Sequence, residues 1–224
     1  RQAGTASAAS SSRLAKSVYR PSRRLSSIGA ARIACWLIRV GVVGSTMVHD
    51  EGWNFYRLGL NIERGGRTAR LIDIPVLSDP TTEPRRISEY HQCLAALKSA
   101  SAFEAYRKFY SAQLVPKRIV QFLLFHNKFP RSVRFTTTQT SKIVERLAGS
   151  TRRAETRQAI RLSGALAADL EFGSLEEVYS TGLSAFLAQV LEQFDKLSNL
   201  VAQAFFRTSG YSTPTQSQTQ SQTV

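Results

Sequence analysis

The sequence of 224 residues predicts an all-α protein, and three observations support this fold class. No glycine occurs between Arg67 and Leu147. Apolar residues in this stretch recur every three or four positions, which is the period of a helix and not of a strand. The last third contains a helix-start pattern followed by the same repeat. We therefore predict a helical bundle, with a central helix near residues 50–73 and a long C-terminal helix near residues 174–206.

The central helix is predicted to begin near Asp50 and to end at Asp73, ahead of Pro75. Its apolar residues fall on two faces, because each residue turns the helix by about 100°. One face carries Trp53, Tyr56, Leu60 and Leu71, and the other carries Phe55, Leu58, Ile62 and Ala69. We expect neighbouring helices on both of these faces.

Four further helices are predicted before the C-terminal one, and proline or glycine marks most of their ends. The second begins after Pro84 and runs to Tyr110, the third runs from Pro116 to Phe125, the fourth follows Pro130 and stops at Gly149, and the fifth spans roughly Arg152 to Leu170. The third helix is apolar nearly all round, so we expect it to be buried on several sides.

The C-terminal helix has the clearest start. Ser174 and Glu177 form a capping-box pattern, in which each side chain satisfies a backbone N–H group of the first turn. Apolar residues then repeat at helical spacing as far as Phe205. We predict one continuous helix, about 50 Å long at 1.5 Å per residue.

Charge and composition divide the chain into three parts. The net charge is +14, and the 49 residues before the first acidic residue, Asp50, contribute +8 of it. We expect residues 1–45 to be a basic, poorly ordered or atypical segment, residues 46–207 a helical domain, and residues 208–224 a disordered Ser/Thr/Gln tail. The Arg- and Ser-rich start also resembles an organelle transit peptide, which is the alternative to a cytoplasmic location.

Several classes of protein and site are excluded by what the sequence contains. The apolar stretch from Ile28 to Val43 is interrupted by arginines and is too short for a membrane span. The two cysteines are far apart, which favours a reducing cytoplasm over a disulfide framework. The three histidines have no partner at metal-ligand spacing, and no dinucleotide, P-loop or serine-hydrolase pattern occurs. We therefore expect no metal site and no cofactor.

Polar side chains of the central helix form the first candidate site. They are Glu51, Asn54, Arg57, Asn61, Glu63, Arg64 and Arg70. One interpretation is a structural network, in which Glu63 pairs with Arg67 or Arg70. The alternative is an anion-binding or catalytic seam. In either case we expect Arg57, Asn61 and Arg64 to be largely buried and hydrogen-bonded, because they lie between two apolar faces.

Glycines also recur along the central helix. Gly52, Gly59 and Gly66 are seven residues apart, so they share one side of the helix. An interior glycine costs about 1 kcal/mol of helix stability relative to alanine. A close helix crossing, the approach of a ligand, or chance would each account for this stripe.

Lys128, Arg131 and Arg134 form the second candidate site, a basic patch ahead of and within the fourth helix. Such a patch could bind phosphate or an acidic peptide, or it could be an ordinary solvated face. The basic residues as a whole are scattered over several helices and match no recognition motif. We therefore do not expect nucleic-acid binding.

Three blocks of the sequence together resemble the alpha-E domain family of bacterial proteins. The blocks are HDEGWNFYRLGLNIERGGRTARLIDI, LKSASAFEAYRKFY and IVQFLLFHNKFPRSVRF. The resemblance covers roughly Thr46 to Phe206. The family-like positions are Asp50, Glu51, Trp53, Arg57, Gly59, Glu63, Arg64, Arg70, Asp73, Pro130, Arg131 and Ser132. The chain departs from the family pattern at Leu60, usually basic, and at Gly65 and Gly66, where Ala and Asp are usual.

The resemblance implies an all-α domain of unestablished activity. Such domains are often encoded beside circularly permuted ATP-grasp ligases and transglutaminase-like proteases, and are sometimes fused to them. Our leading hypothesis is a helical module that assists or docks such a partner in peptide or amide-bond modification. The alternative is an enzyme acting on a peptide or amide bond, with Glu51 or Glu63 as acid or base and Arg57, Arg64 or Arg131 holding an anionic group.

Overall fold

The computed structural model describes residues 42–78, 87–110, 113–149 and 153–206. The chain divides into two compact units, Arg1–Val48 and His49–Val224. In the first unit, residues 42–46 are helical. The predictions for residues 1–41, a basic tail or a transit peptide, and for the tail at 208–224 fall outside the described residues.

The described part of the second unit is built from helices and contains no strand, as the sequence predicts. In chain order they are α1 (Glu51–Ile72), α2 (Pro75–Ser78), α3 (Ile87–Ser99), α4 (Phe103–Tyr110), α5 (Pro116–Phe125), α6 (Val133–Ala148), α7 (Ala154–Phe172), α8 (Leu175–Thr181) and α9 (Leu183–Val201), followed by a π-helical turn (Ala202–Phe206). The all-α helical bundle is therefore confirmed.

Helix α1 has the predicted bounds and packs against α3, α5, α6 and α9. Asp50 caps it, because its Oδ1 accepts a hydrogen bond from the backbone N–H of Trp53 at 3.2 Å. The two predicted apolar faces differ in burial. Leu58 and Ala69 are buried, whereas Trp53 and Tyr56 are only half-buried. The helix is thus enclosed more fully on one face than on the other.

Helix α5 is the centre of the larger hydrophobic cluster. Its residues Ile119, Val120, Phe122, Leu123 and Leu124 are completely inaccessible to solvent. Pro116 is its first residue, as predicted from the fixed φ of proline and its missing N–H. The prediction that this helix is buried on several sides is confirmed.

Two helices predicted to be continuous are divided in the structure. Residues 87–110 form α3 and α4, because Ser101 has a φ of 52° and ends α3. The N–H of Ala102 bonds to the carbonyl of Leu97 at 2.7 Å, and the N–H of Ser101 bonds to that of Lys98 at 2.9 Å. This is the Schellman pattern, with serine where glycine is usual.

The C-terminal helix is divided as well. Ser174 and Glu177 form the predicted capping box, but α8 ends at Thr181. Gly182 has a φ of 98° and turns the chain into α9. A left-handed backbone cannot continue an α-helix, so the prediction of one uninterrupted helix was wrong. After Val201 the chain makes the π-helical turn, whose Phe205 and Phe206 pack on Phe55 of α1.

A close crossing of α1, α6 and α9 fixes the position of the central helix. A Cβ atom built on Gly65 would lie 2.6 Å from Oγ1 of Thr136 and 2.7 Å from Cζ of Phe194. By contrast, a Cβ atom built on Gly59 would have no atom of another described helix or loop within 4 Å. The close approach therefore depends on Gly65, which lies outside the predicted stripe of glycines.

Candidate arginine site on the central helix

The polar seam of α1, which comprises the candidate residues and also Thr68 one turn after Arg64, meets at Thr68 the loop that leads into α6. Thr68 is buried, and its hydroxyl donates a hydrogen bond to the backbone carbonyl of Arg131 at 2.7 Å. Asn61 is also buried, and its side-chain amide donates to the carbonyl of Arg57 at 2.8 Å. These bonds satisfy the buried polar groups of the seam and place Arg131 beside α1.

Arg57, Arg64 and Arg131 together form what we call the arginine cluster. All three are half-buried. Burial lowers the pKa of Arg64, and the positive charges of Arg131 and, to a smaller extent, Arg57 lower it further, while Tyr56 acts in the opposite direction. The pKa shift thus reports that Arg64 shares its surroundings with two other cations.

An aromatic stack supports Arg57 at one end of this cluster. The guanidinium carbon of Arg57 lies 5.7 Å from the centre of the Trp53 ring. Trp53 in turn stacks on His49 at 4.4 Å and on Tyr56 at 5.5 Å between ring centres. A cation over an aromatic face is attracted by the ring quadrupole, so this stack positions the Arg57 guanidinium.

Within the described residues, four ion pairs form, and none includes a member of the arginine cluster. They are Glu63–Arg67, Lys117–Glu176, Arg134–Glu171 and Lys196–Glu192. The predicted burial is found for Asn61 alone, and its hydrogen-bond partner is a backbone carbonyl of its own helix. The prediction that Arg57 and Arg64 are largely buried was wrong, because the neighbouring face of α1 with Trp53 and Tyr56 is itself only half-buried. Arg57 and Arg64 are half-buried, and their side chains have no carboxylate partner in the described ranges.

The carboxylates of the candidate seam lie on the solvent side of α1. Glu63 is exposed and pairs with Arg67, which is one of the two pairings that the sequence predicts. The pair lies at the surface and not in a buried network. Glu51 and Arg70 are also exposed, and Asn54 is half-buried. The structure thus separates the acidic members of the predicted seam from the arginine cluster.

The structure also separates the second candidate site, the basic patch. Arg134 is 3.4 Å from Glu171 of α7, so its charge is compensated. Lys128 is exposed in the loop. Only Arg131 faces the seam of α1. The sequence analysis assigned Arg131 and Arg64 to different candidate sites and named them together only as alternative anion-holding residues of an enzyme. They are 67 residues apart in the chain, and the hydrogen bond of Thr68 connects the two segments.

The described ranges were also compared with the requirements of a metal site and of a membrane span. They contain no group of three His, Cys, Asp or Glu residues arranged to hold a metal ion. They also contain no helix that is long and apolar enough to cross a membrane.

Burial and the charge of Lys128 lower the pKa of His126, which packs against Phe109 and Phe122.

Comparison with known families matches residues 11–206 to a family described as a predicted alpha-helical domain with a conserved ER motif. The chain belongs to the alpha-E family. The match begins 35 residues upstream of Thr46, so the family pattern extends further toward the N-terminus than the three sequence blocks indicated. No solved structure matches the chain.

The alpha-E domain is also similar to uncharacterized proteins of Mycobacterium bovis and of two strains of Mycobacterium tuberculosis. Each is 27% identical over 169 residues, which cover 75% of this chain and 18% of the relative. The chain therefore corresponds to less than a fifth of the length of these relatives.

The sequence contains two Glu-Arg dipeptides that could represent the ER motif of the alpha-E family. Glu63 and Arg64 lie in α1, and Glu145 and Arg146 lie in α6. The first pair includes the centre of the arginine cluster and is among the family-like positions of the sequence. In that pair, Glu63 bonds to Arg67 at the surface while Arg64 is half-buried near Arg131.

Proposed function

We propose that this alpha-E domain is an assisting module in peptide or amide-bond modification, which docks an ATP-grasp-type ligase or a transglutaminase-like protease. The size of the relatives carries this proposal. More than four fifths of each relative lies outside the matching segment, so the domain occurs there within much longer chains. A module that works with other domains or proteins is consistent with that arrangement.

The chemistry of the central helix supports binding rather than bond cleavage. The arginine cluster offers cations and hydrogen-bond donors, which hold a ligand but do not accept a proton from it. Glu63, a candidate acid or base, is engaged at the surface with Arg67, and Glu51 is exposed on the first turn of α1. Neither carboxylate is therefore enclosed in a site from which water is excluded.

The experiment that tests this proposal is reconstitution with partners from the same genome. The chain is co-expressed with the ATP-grasp ligase and, separately, with the transglutaminase-like protease encoded nearest to its gene. Complex formation is measured by size-exclusion chromatography with light scattering, and ligase turnover is measured as ATP consumption. We expect one partner to co-elute and to turn over faster with the domain than without it. Co-elution with neither partner, together with unchanged turnover, would remove the proposal.

The alternative of an enzyme is tested with the purified domain alone. If Glu51 or Glu63 supplies acid-base chemistry, the isolated domain should cleave or form an amide bond, and Glu63→Gln or Glu51→Gln should abolish this turnover without loss of folding. Our proposal predicts no turnover above that of either variant. Turnover by the wild type that one of the two variants lacks would favour the enzyme.

A further inference from the structure

The arginine cluster gathers three cations on one side of α1. Arg57 and Arg64 are seven residues apart, so they share a helix face and are separated by about 10 Å along the axis. Thr68 is one turn further along, and its hydrogen bond of 2.7 Å to the carbonyl of Arg131 brings the third arginine to the same face. Along the helix axis Arg64 lies between Arg57 and Thr68, and the positive charges of both Arg57 and Arg131 act on it.

This arrangement is unfavourable without a counter-charge. Arginine remains protonated in proteins, so the cluster cannot relieve its repulsion by losing a proton. Within the described ranges, no carboxylate pairs with any of the three side chains. By contrast, Arg67 on the same helix and Arg134 beside the same loop each have a glutamate partner. Half-buried cations that lack a protein anion are what a binding site for a dissolved anion requires.

The start of α6 adds to the positive potential. Arg131 directly precedes Ser132, which caps this helix of 16 residues by accepting the N–H of Phe135 at 3.1 Å. The N-terminal end of a helix carries a partial positive charge of about half a unit. The backbone of Arg131 therefore lies next to a second source of positive charge.

The contact between Arg57 and Trp53 leaves hydrogen-bond donors of Arg57 available. The guanidinium carbon of Arg57 lies 5.7 Å from the centre of the Trp53 ring, which is within the range of a cation–π contact. A guanidinium has five N–H donors, and within the described residues the Arg57 side chain forms no hydrogen bond or ion pair. The aromatic stack therefore restrains Arg57 without consuming its hydrogen-bonding capacity.

We propose that the arginine cluster, centred on Arg64, is a binding site for a phosphoryl group. A phosphate monoester presents three terminal oxygens and close to two negative charges, which suits several guanidinium groups at once. A single carboxylate presents two oxygens and one charge, which would leave much of the positive charge uncompensated. This inference does not depend on the proposed docking function.

The test is thermal unfolding of the full chain with inorganic phosphate at constant ionic strength, with chloride as the reference salt. We expect phosphate to raise the melting temperature of the wild type by a few degrees, in a saturable manner, because the anion binds the folded state. In Arg64→Met and Arg131→Met, we expect the dissociation constant for phosphate to increase about tenfold or more. Arg67→Met is the matched control, since it removes one positive charge from the same helix at an exposed position.

Three outcomes would overturn the proposal. One is a wild type whose melting temperature is the same in phosphate and chloride. Another is an equal rise in melting temperature with phosphate for the wild type and for both cluster variants. If Arg64→Met does not fold, Arg131→Met alone serves for this comparison. The third is a larger effect of a glutamate-rich peptide than of phosphate at equal charge concentration, which would assign the site to carboxylates.

Discussion

Replacement of Gly65 by alanine tests the helix crossing on which the central position of α1 depends. Alanine favours a helix over glycine by about 1 kcal/mol. The new methyl group, however, would lie 2.6 Å from Thr136 Oγ1 and 2.7 Å from Phe194 Cζ, about 1 Å inside normal contact distance. Thr136 is completely buried and its hydroxyl bonds to two backbone carbonyls, and Phe194 is 2% exposed, so neither neighbour yields easily.

Overpacking of a core typically costs 1–3 kcal/mol, and two simultaneous overlaps place this site near the upper end, at about 3 kcal/mol. The net loss of stability expected for Gly65→Ala is therefore about 2 kcal/mol. Gly59→Ala is the matched control on the same helix, because its methyl group would meet no atom of another described helix or loop within 4 Å. It should gain up to about 1 kcal/mol from helix propensity alone.

The two variants should thus differ by about 3 kcal/mol in their free energy of unfolding. Urea denaturation followed by far-UV circular dichroism measures this difference. With a slope of about 2 kcal/mol per molar urea, the midpoints should lie about 1.5 M apart. A Gly65→Ala variant as stable as the wild type would refute the close crossing. A destabilised Gly59→Ala variant would show instead that the open side of α1 is covered.

Three further predictions concern the helix break, the seam and the buried thiol. Gly182→Ala should lose about 1–3 kcal/mol of stability in urea, because φ is 98° there, and no loss would argue for a continuous helix. Thr68→Val should lower the free energy of unfolding by about 1–3 kcal/mol, because the backbone carbonyl of Arg131 would lose its hydrogen bond. Thr140→Val is the control and should not lower it, because the buried Thr140 hydroxyl has no partner among the described residues. Equal effects of the two substitutions would contradict the Thr68 bond. Burial raises the pKa of Cys93 to about 11, so its thiol should be protonated and inaccessible in the native protein at pH 8. In a Cys35→Ser background, Cys93 should therefore react with a disulfide reagent only after the protein is unfolded. A fast reaction of the native protein would contradict the burial of this thiol.

Several elements could be predicted from the sequence because their signals act within a few residues. Helix α1 begins directly after Asp50, Pro116 begins α5, and Gly149 follows the end of α6. A cap or a proline changes the backbone at its own position, so its effect is readable without knowing the neighbours. The fold class follows from the same local period of apolar residues.

Helix continuity was less predictable. The apolar repeat runs through Gly182 without a change of phase, so periodicity favoured one helix although a glycine was present. At Ser101 there was no glycine to signal a break, and the left-handed conformation accompanies the backbone hydrogen bonds of Ser101 and Ala102 to carbonyls of α3. Neither break follows from the period of the apolar residues alone.

The candidate site shows the same division between local and tertiary information. The sequence alone determined that Arg57, Asn61 and Arg64 share one helix face, because the helical period fixes which residues lie side by side. Only the tertiary structure decided that Arg131 joins them and that Gly65 is the point of closest approach. Those contacts connect residues that are far apart in the chain, and such contacts depend on the packing of whole helices rather than on the order of neighbouring residues.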